Sequence, residues 1–138
     1  MKTYEHLTKT LVIVDDDNVS LSFNEAILRS HCKISNIKTF TDPSEAFRYV
    51  IVHSDSICGI ITDAYMYRDD CRISTGMQLI QEIKTTIDFD LPILFCTSLS
   101  GDVEKTIMLS VGDFVNKLLF MHGEEDKLEL YRFLNRLK

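Results

Sequence analysis

Short unbroken apolar runs alternate along the chain with longer stretches in which apolar side chains recur every third or fourth position. Thr10–Val14 (TLVIV) is the first such run, brief and rich in β-branched residues, as suits a buried central strand. It ends at three aspartates. Residues 19–30 then set Phe23, Ala26, Ile27 and Ser30 at helical spacing, and the pattern predicts a first helix. Residues 34–40 offer a second strand whose weaker apolar pattern suits a sheet edge. Asp42-Pro43-Ser44-Glu45 is the sharpest local signal, with Asp42 to cap the orphan amides, Pro43 at the first helical position and Glu45 to complete a capping box. The helix it opens is expected to bury Ala46, Phe47, Val50 and Ile51.

Ile57–Thr62 (ICGIIT) is a further apolar strand and ends at Asp63. A polar loop over 63–75 leads to a helix over 76–86, with Met77, Ile80 and Ile83 on one stripe. Residues 91–96 (LPILFC) form the next buried strand, followed by Thr97 and Ser98. A short helix over 101–110, a short strand over 113–116 and a last helix over 124–137 complete the series. Strands alternating with helices, the strands apolar throughout, specify a parallel sheet covered on both faces. The expected fold is a small doubly wound α/β domain, whose ligand site lies at the carboxyl ends of the strands.

The length of 138 residues fits one domain, taken as 1–138 with a core over about 10–137, and one core of that size folds without disulfides or a structural metal. No effector domain is expected after the last helix. Fifteen Lys and Arg stand against twenty-one Asp and Glu, a net charge of −6, so the average field repels nucleic acid and anionic membrane alike. No signal peptide, and no apolar run long enough to span a bilayer, is present in the sequence, so a cytoplasmic location is expected. Cys58 and Cys96 lie in apolar runs and read as core residues, whereas Cys32 and Cys71 stand in more polar surroundings. The histidines do not cluster with them, and zinc-ligand spacing is absent.

The chemistry gathers at the strand ends. The first strand offers Asp15, Asp16 and Asp17, the third Asp63, the fourth Thr97 with Ser98, and the fifth Lys117. Converging carboxylates repel one another unless a cation sits among them, and oxygen donors of this kind suit Mg2+. An ammonium at Lys117 and a hydroxyl at Thr97 complement the oxygens of a phosphoryl group. Together they describe phosphoryl transfer to a carboxylate, with Asp63 as the nucleophile because it stands alone at a strand end. Taken singly, Asp17 or Asn18 reads as a helix cap, Thr97 as a turn hydroxyl and Lys117 as a solvated loop lysine.

These residues resemble those of the receiver domains of two-component response regulators, and the resemblance runs from Leu11 to the final helix. LVIVDDD is similar to the family's opening strand and acid pair, TDAYM to its phosphoacceptor segment, LPILFCTS to its fourth strand and GDFVNK to its fifth. The resemblance implies a flavodoxin-like strand order 2-1-3-4-5 and a phosphorylated aspartate at Asp63. It implies Mg2+ held by Asp15, Asp16, Asp63 and the backbone carbonyl of Tyr65, a signalling hydroxyl at Thr97, a switch aromatic at Phe114 and a lysine at Lys117. It further implies a histidine kinase or histidine phosphotransfer protein as donor and a downstream protein as target. Such a domain catalyses its own phosphorylation and slow dephosphorylation without being a turnover enzyme in the usual sense. Homodimerisation through the 101–110 helix, the 113–116 strand and the last helix is a further implication.

Three departures stand out. Tyr67 follows Met66 where the family usually has proline, and the matching glycine is Gly76, so the intervening loop, with its charged RDDCR run, is several residues longer. Leu118 follows Lys117 where the family usually has a cis-proline, and a cis bond before any other residue costs about 2.5–4 kcal/mol. Phe114 stands at a position more often tyrosine. Two rival functions remain. One is a small phosphatase of the haloacid dehalogenase type, with Asp15 as nucleophile and Asp17 as acid in a DxDx(T/V)-like run. The other is a receiver-like binding module that works without phosphorylation. A nucleotide-binding fold is disfavoured because no glycine-rich loop follows the first strand.

Overall fold

Leu11 to Val14 are all buried, a consequence of helices lying on both faces of the strand they form. The computed structural model describes residues 3–64, 66, 73, 75–97, 112–116 and 128–138, with backbone alone at 97 and 113–116. In chain order the elements are β1 (Thr10–Val14), α1 (Asn18–Ser30), β2 (Ile37–Phe40), α2 (Pro43–His53), a 3-10 turn (Ser54–Ser56), β3 (Ile57–Thr62), α3 (Gly76–Thr86), β4 (Ile93–Thr97), the short strand β5 (Asp113–Asn116) and α4 (Leu128–Leu134). The predicted 101–110 helix and the residues 124–127 of the last helix lie outside the described residues.

The sheet is parallel, in the order β2-β1-β3-β4. The backbone of Asp113–Asn116 is registered parallel to β4, from Leu94↔Asp113 to Thr97↔Asn116. Side chains alternate between two cores. Ile13, Ile61, Leu94 and Cys96 point to the layer of α1 and α4, where Leu28, Leu130 and Phe133 cover them. Val12, Val14, Ile60 and Phe95 point to the layer of α2 and α3, against Ala46, Val50, Leu79, Ile80 and Ile83. The doubly wound arrangement read from the apolar runs is therefore present.

Helix starts follow local chemistry. The Asp42 carboxylate accepts from the Ser44 amide at 2.8 Å with Pro43 in the first turn, and Thr75 Oγ1 accepts from the Gln78 amide at 3.1 Å to open α3. Several expectations need correction. The buried face of α1 is Leu21, Asn24, Ile27 and Leu28, while Phe23 is 40% exposed and Ala26 and Ser30 face solvent. The stripe is rotated because a polar residue, Asn24, occupies an inward position and donates to the Cys96 sulfur at 3.9 Å. The second strand starts at Ile37 rather than 34, since Lys33 (φ 58) turns the chain after α1. β4 runs over Ile93–Thr97 rather than 91–96. Helix α4 ends at Leu134, after which tightened turns place Leu137 in the core, with the Leu137 amide on the Leu134 carbonyl at 3.2 Å.

Cys32 is buried instead of lying in polar surroundings, because the N-terminal segment folds over it. The Tyr4 amide donates to the Cys32 carbonyl at 2.7 Å, and the buried Tyr4 ring sends its hydroxyl to Asn135 Oδ1 at 2.8 Å. The described cysteines, Cys32, Cys58 and Cys96, form no disulfide with one another, and Cys58 and Cys96 are buried as expected. Among the described residues, no helix is long and apolar enough to cross a membrane.

Candidate functional site

β1 and β3 are adjacent, and their register pairs Val14 with Thr62. Each strand continues for one residue into an aspartate, so Asp15 and Asp63 come to stand abreast at the carboxyl edge of the sheet. The ladders hold both in place. The Asp15 amide donates to the Phe40 carbonyl at 3.0 Å, and the Asp63 amide donates to the Val14 carbonyl at 3.0 Å. Asp15 is 2% exposed and Asp63 6%, while Asp16 is half-buried. One carboxylate oxygen from each of Asp15, Asp16 and Asp63 lies within 4.8 Å of the others.

Asp17 has a different task. Its carboxylate accepts from the Val19 amide at 3.0 Å and from the Ser20 hydroxyl at 3.1 Å, so it caps α1. Its own amide donates to Asp15 Oδ1 at 2.9 Å and so orients that carboxylate. Asp17 is exposed and is absent from the three-carboxylate cluster, which weighs against a phosphatase with Asp17 as the acid.

The cluster fits a magnesium ion. Two oxygens bound to one Mg2+ lie about 3–4 Å apart, so donors confined to 4.8 Å are of the right scale, with waters completing the shell. Two of these carboxylates are buried, and like charges at this spacing repel, which a divalent cation would offset.

Thr97 ends β4, the neighbour of β3, so its backbone lies at the same edge of the sheet. Its side chain and that of Phe114 lie outside the described residues, as do Tyr65, Cys71, Ser98, Lys117, the Lys117–Leu118 bond and most of the 63–75 loop. Met66, three residues after Asp63, is buried in the α2–α3 core.

Two neighbours of Asp63 escaped the reading of the sequence as site residues. Thr62 reads in the sequence as the end of an apolar strand, yet it is fully buried and its hydroxyl donates to the Asp63 carbonyl at 3.1 Å. Gly76 reads in the sequence only as the end of a loop, yet α3 begins hard against that same carbonyl. The hydroxyl directly before a strand-end aspartate was the available signal for the first.

A parallel α/β sheet with an acidic cluster across its two central strand ends is a doubly wound fold whose candidate site lies at the carboxyl ends of the strands. The sequence matches no protein-family model, and it matches no curated protein. Solved structures do match. A response regulator receiver domain from Clostridium thermocellum is similar at a TM-score of 0.68 and 21% identity, over 93% of this chain and 95% of that one. The receiver domain of the histidine kinase CKI1 from Arabidopsis thaliana, complexed with Mg2+ and BeF3−, gives 0.70 and 19%, over 95% and 93%. The chemotaxis protein CheY4 of Vibrio cholerae gives 0.66 and 18%, over 92% and 98%. The chain has the fold of the response-regulator receiver domains.

Proposed function

We propose that this chain is a single phosphoacceptor receiver domain, acting in two-component signal transduction or a phosphorelay. The observation that carries the reading is the placement of Asp63 abreast of Asp15 and beside Asp16 at the carboxyl ends of adjacent strands. Asp63 attacks the phosphorus of a phosphohistidine on a histidine kinase or histidine phosphotransfer protein. The P–N bond breaks, the Asp63 Oδ–P bond forms, and the ring leaves as neutral imidazole, keeping the proton already held on its other nitrogen. Asp15, Asp16, Asp63 and the Tyr65 backbone carbonyl would hold Mg2+, which supplies charge neutralisation at the phosphoryl oxygens when bound. Lys117 and Thr97 contact the remaining oxygens.

The fold likeness supports the reading, as does the magnesium bound by a neighbouring receiver structure. The finer parts belong to the proposal. The sheet is completed to the order 2-1-3-4-5, which the register of Asp113–Asn116 on β4 supports. Thr97 and Phe114 change position on phosphorylation, reshaping the surface of the 101–110 segment, the 113–116 strand and the last helix for a downstream protein or a second copy. The protein works in the cytoplasm.

Intact mass after incubation with Mg2+ and acetyl phosphate tests this. The wild type is expected to gain one phosphoryl group and Asp63→Asn none. No gain from acetyl phosphate or from a phosphorylated histidine phosphotransfer protein would overturn the reading in favour of a phosphorylation-independent binding module.

A further inference from the structure

The peptide that carries Asp63 is gripped from two sides. β3 is apolar over most of its length, yet its last residue, Thr62, is 0% exposed and carries a hydroxyl. A buried hydroxyl without a partner is destabilising, so its bond identifies its structural task. Thr62 Oγ1 donates to the carbonyl of Asp63 at 3.1 Å. From the opposite side, the first residue of α3 lies against that carbonyl. A Cβ added to Gly76 would overlap the Asp63 oxygen and lie 2.9 Å from both the Asp63 carbonyl carbon and Thr62 Oγ1. The Gly76 amide donates to the Ala64 carbonyl at 3.1 Å, fixing the next peptide as well. With the Asp63 amide held on Val14, both flanking peptides are fixed.

We infer that Thr62 and Gly76 are positioning residues that clamp the Asp63 carbonyl and thereby aim its carboxylate at Asp15 and Asp16. The inference rests on the reading of Asp63 as phosphoacceptor and metal ligand. Rotation of the 63–64 peptide would swing the Asp63 side chain away from its neighbours. Valine at position 62 keeps the shape and β preference of threonine but cannot donate, whereas serine keeps the donor. Any side chain at position 76 displaces the carbonyl.

The test compares wild type, Thr62→Val, Thr62→Ser and Gly76→Ala by calorimetric Mg2+ titration and by the rate of mass gain with acetyl phosphate, on samples whose circular dichroism is native. Partners that orient metal ligands change affinity or activity by about 10–100-fold when removed, so Thr62→Val is expected to lose about tenfold in both readouts and Thr62→Ser less than about twofold. Gly76→Ala loses at least as much as Thr62→Val, and should it fail to fold, the valine–serine pair decides. Valine matching wild type, or serine failing as badly as valine, overturns the clamp. Wild type that binds Mg2+ but takes no phosphoryl group overturns the phosphoacceptor role alone, and the clamp is then judged on Mg2+ affinity. Wild type that does neither overturns both.

Discussion

Cys58 holds its thiol against the Lys9 carbonyl at 3.7 Å, in the core shared by α1 and α4. Burial pushes this thiol up to about 11, outweighing the downward pull of a hydrogen bond from the backbone of Cys58 itself and of the Lys9 charge. The folded protein therefore keeps a proton that the unfolded chain releases from about pH 9. Stability from this group is complete below that pH and is lost as pH rises towards 11. Urea midpoints measured across this window should fall for the wild type, and with a shallower slope for Cys58→Ala. A residual slope remains, because burial, and then the nearby Cys32, raise Tyr4 in the same direction. Legibility differed sharply between the cysteines. Cys58 and Cys96 announced their burial through apolar neighbours, whereas Cys32 is covered by Tyr4, a contact between distant segments that local pattern does not encode.

At the scale of elements, what was readable is what local chemistry decides. Asp42 and Pro43 marked the start of α2 because a cap acts within one turn, and the structure has that cap. Asp42→Ala should lower stability by about 1 kcal/mol, read as a lower thermal midpoint with unchanged phosphoryl acceptance, since Asp42 lies outside the acidic cluster. The face of α1 was not readable, because an inward asparagine serving a sulfur across the core breaks the apolar stripe. The beginning of β2 was likewise obscured. Ile34 is buried and apolar, yet it belongs to the turn after α1, its amide reaching the Leu28 carbonyl at 3.1 Å. Apolarity reports burial; ladder pairing needs a neighbour strand that the sequence alone does not place.

For the whole molecule, the sheet brings Asp63 beside the distant Asp15–Asp16 pair and makes one site of them. Asp15, Asp16 and Asp63 were legible as candidates because each follows a recognisable central strand, and strand ends in a parallel sheet share an edge. The Thr62–Gly76 clamp was not, because it depends on how closely α3 packs on β3. A chain of net charge −6 that concentrates three carboxylates in one place gains stability from a cation bound there. Mg2+ at about a hundred times its dissociation constant should add about 2.7 kcal/mol. Thermal melting with MgCl2, against NaCl of equal ionic strength, is expected to give a higher midpoint for the wild type. Most of that increment should disappear in Asp16→Asn. Equal midpoints in the two salts would remove the metal site.

The hydrogen bond between Tyr4 and Asn135 joins residues 131 apart in the chain. Closing a loop of that size before the sheet exists carries a large entropic cost, which grows with the logarithm of its length. The order of folding events follows. On this argument the Tyr4–Asn135 bond closes only after the sheet has formed, and Tyr4→Phe is expected to speed unfolding more than it slows folding in stopped-flow measurements. A contact made that late governs how long the folded molecule survives and has little influence on how quickly it forms.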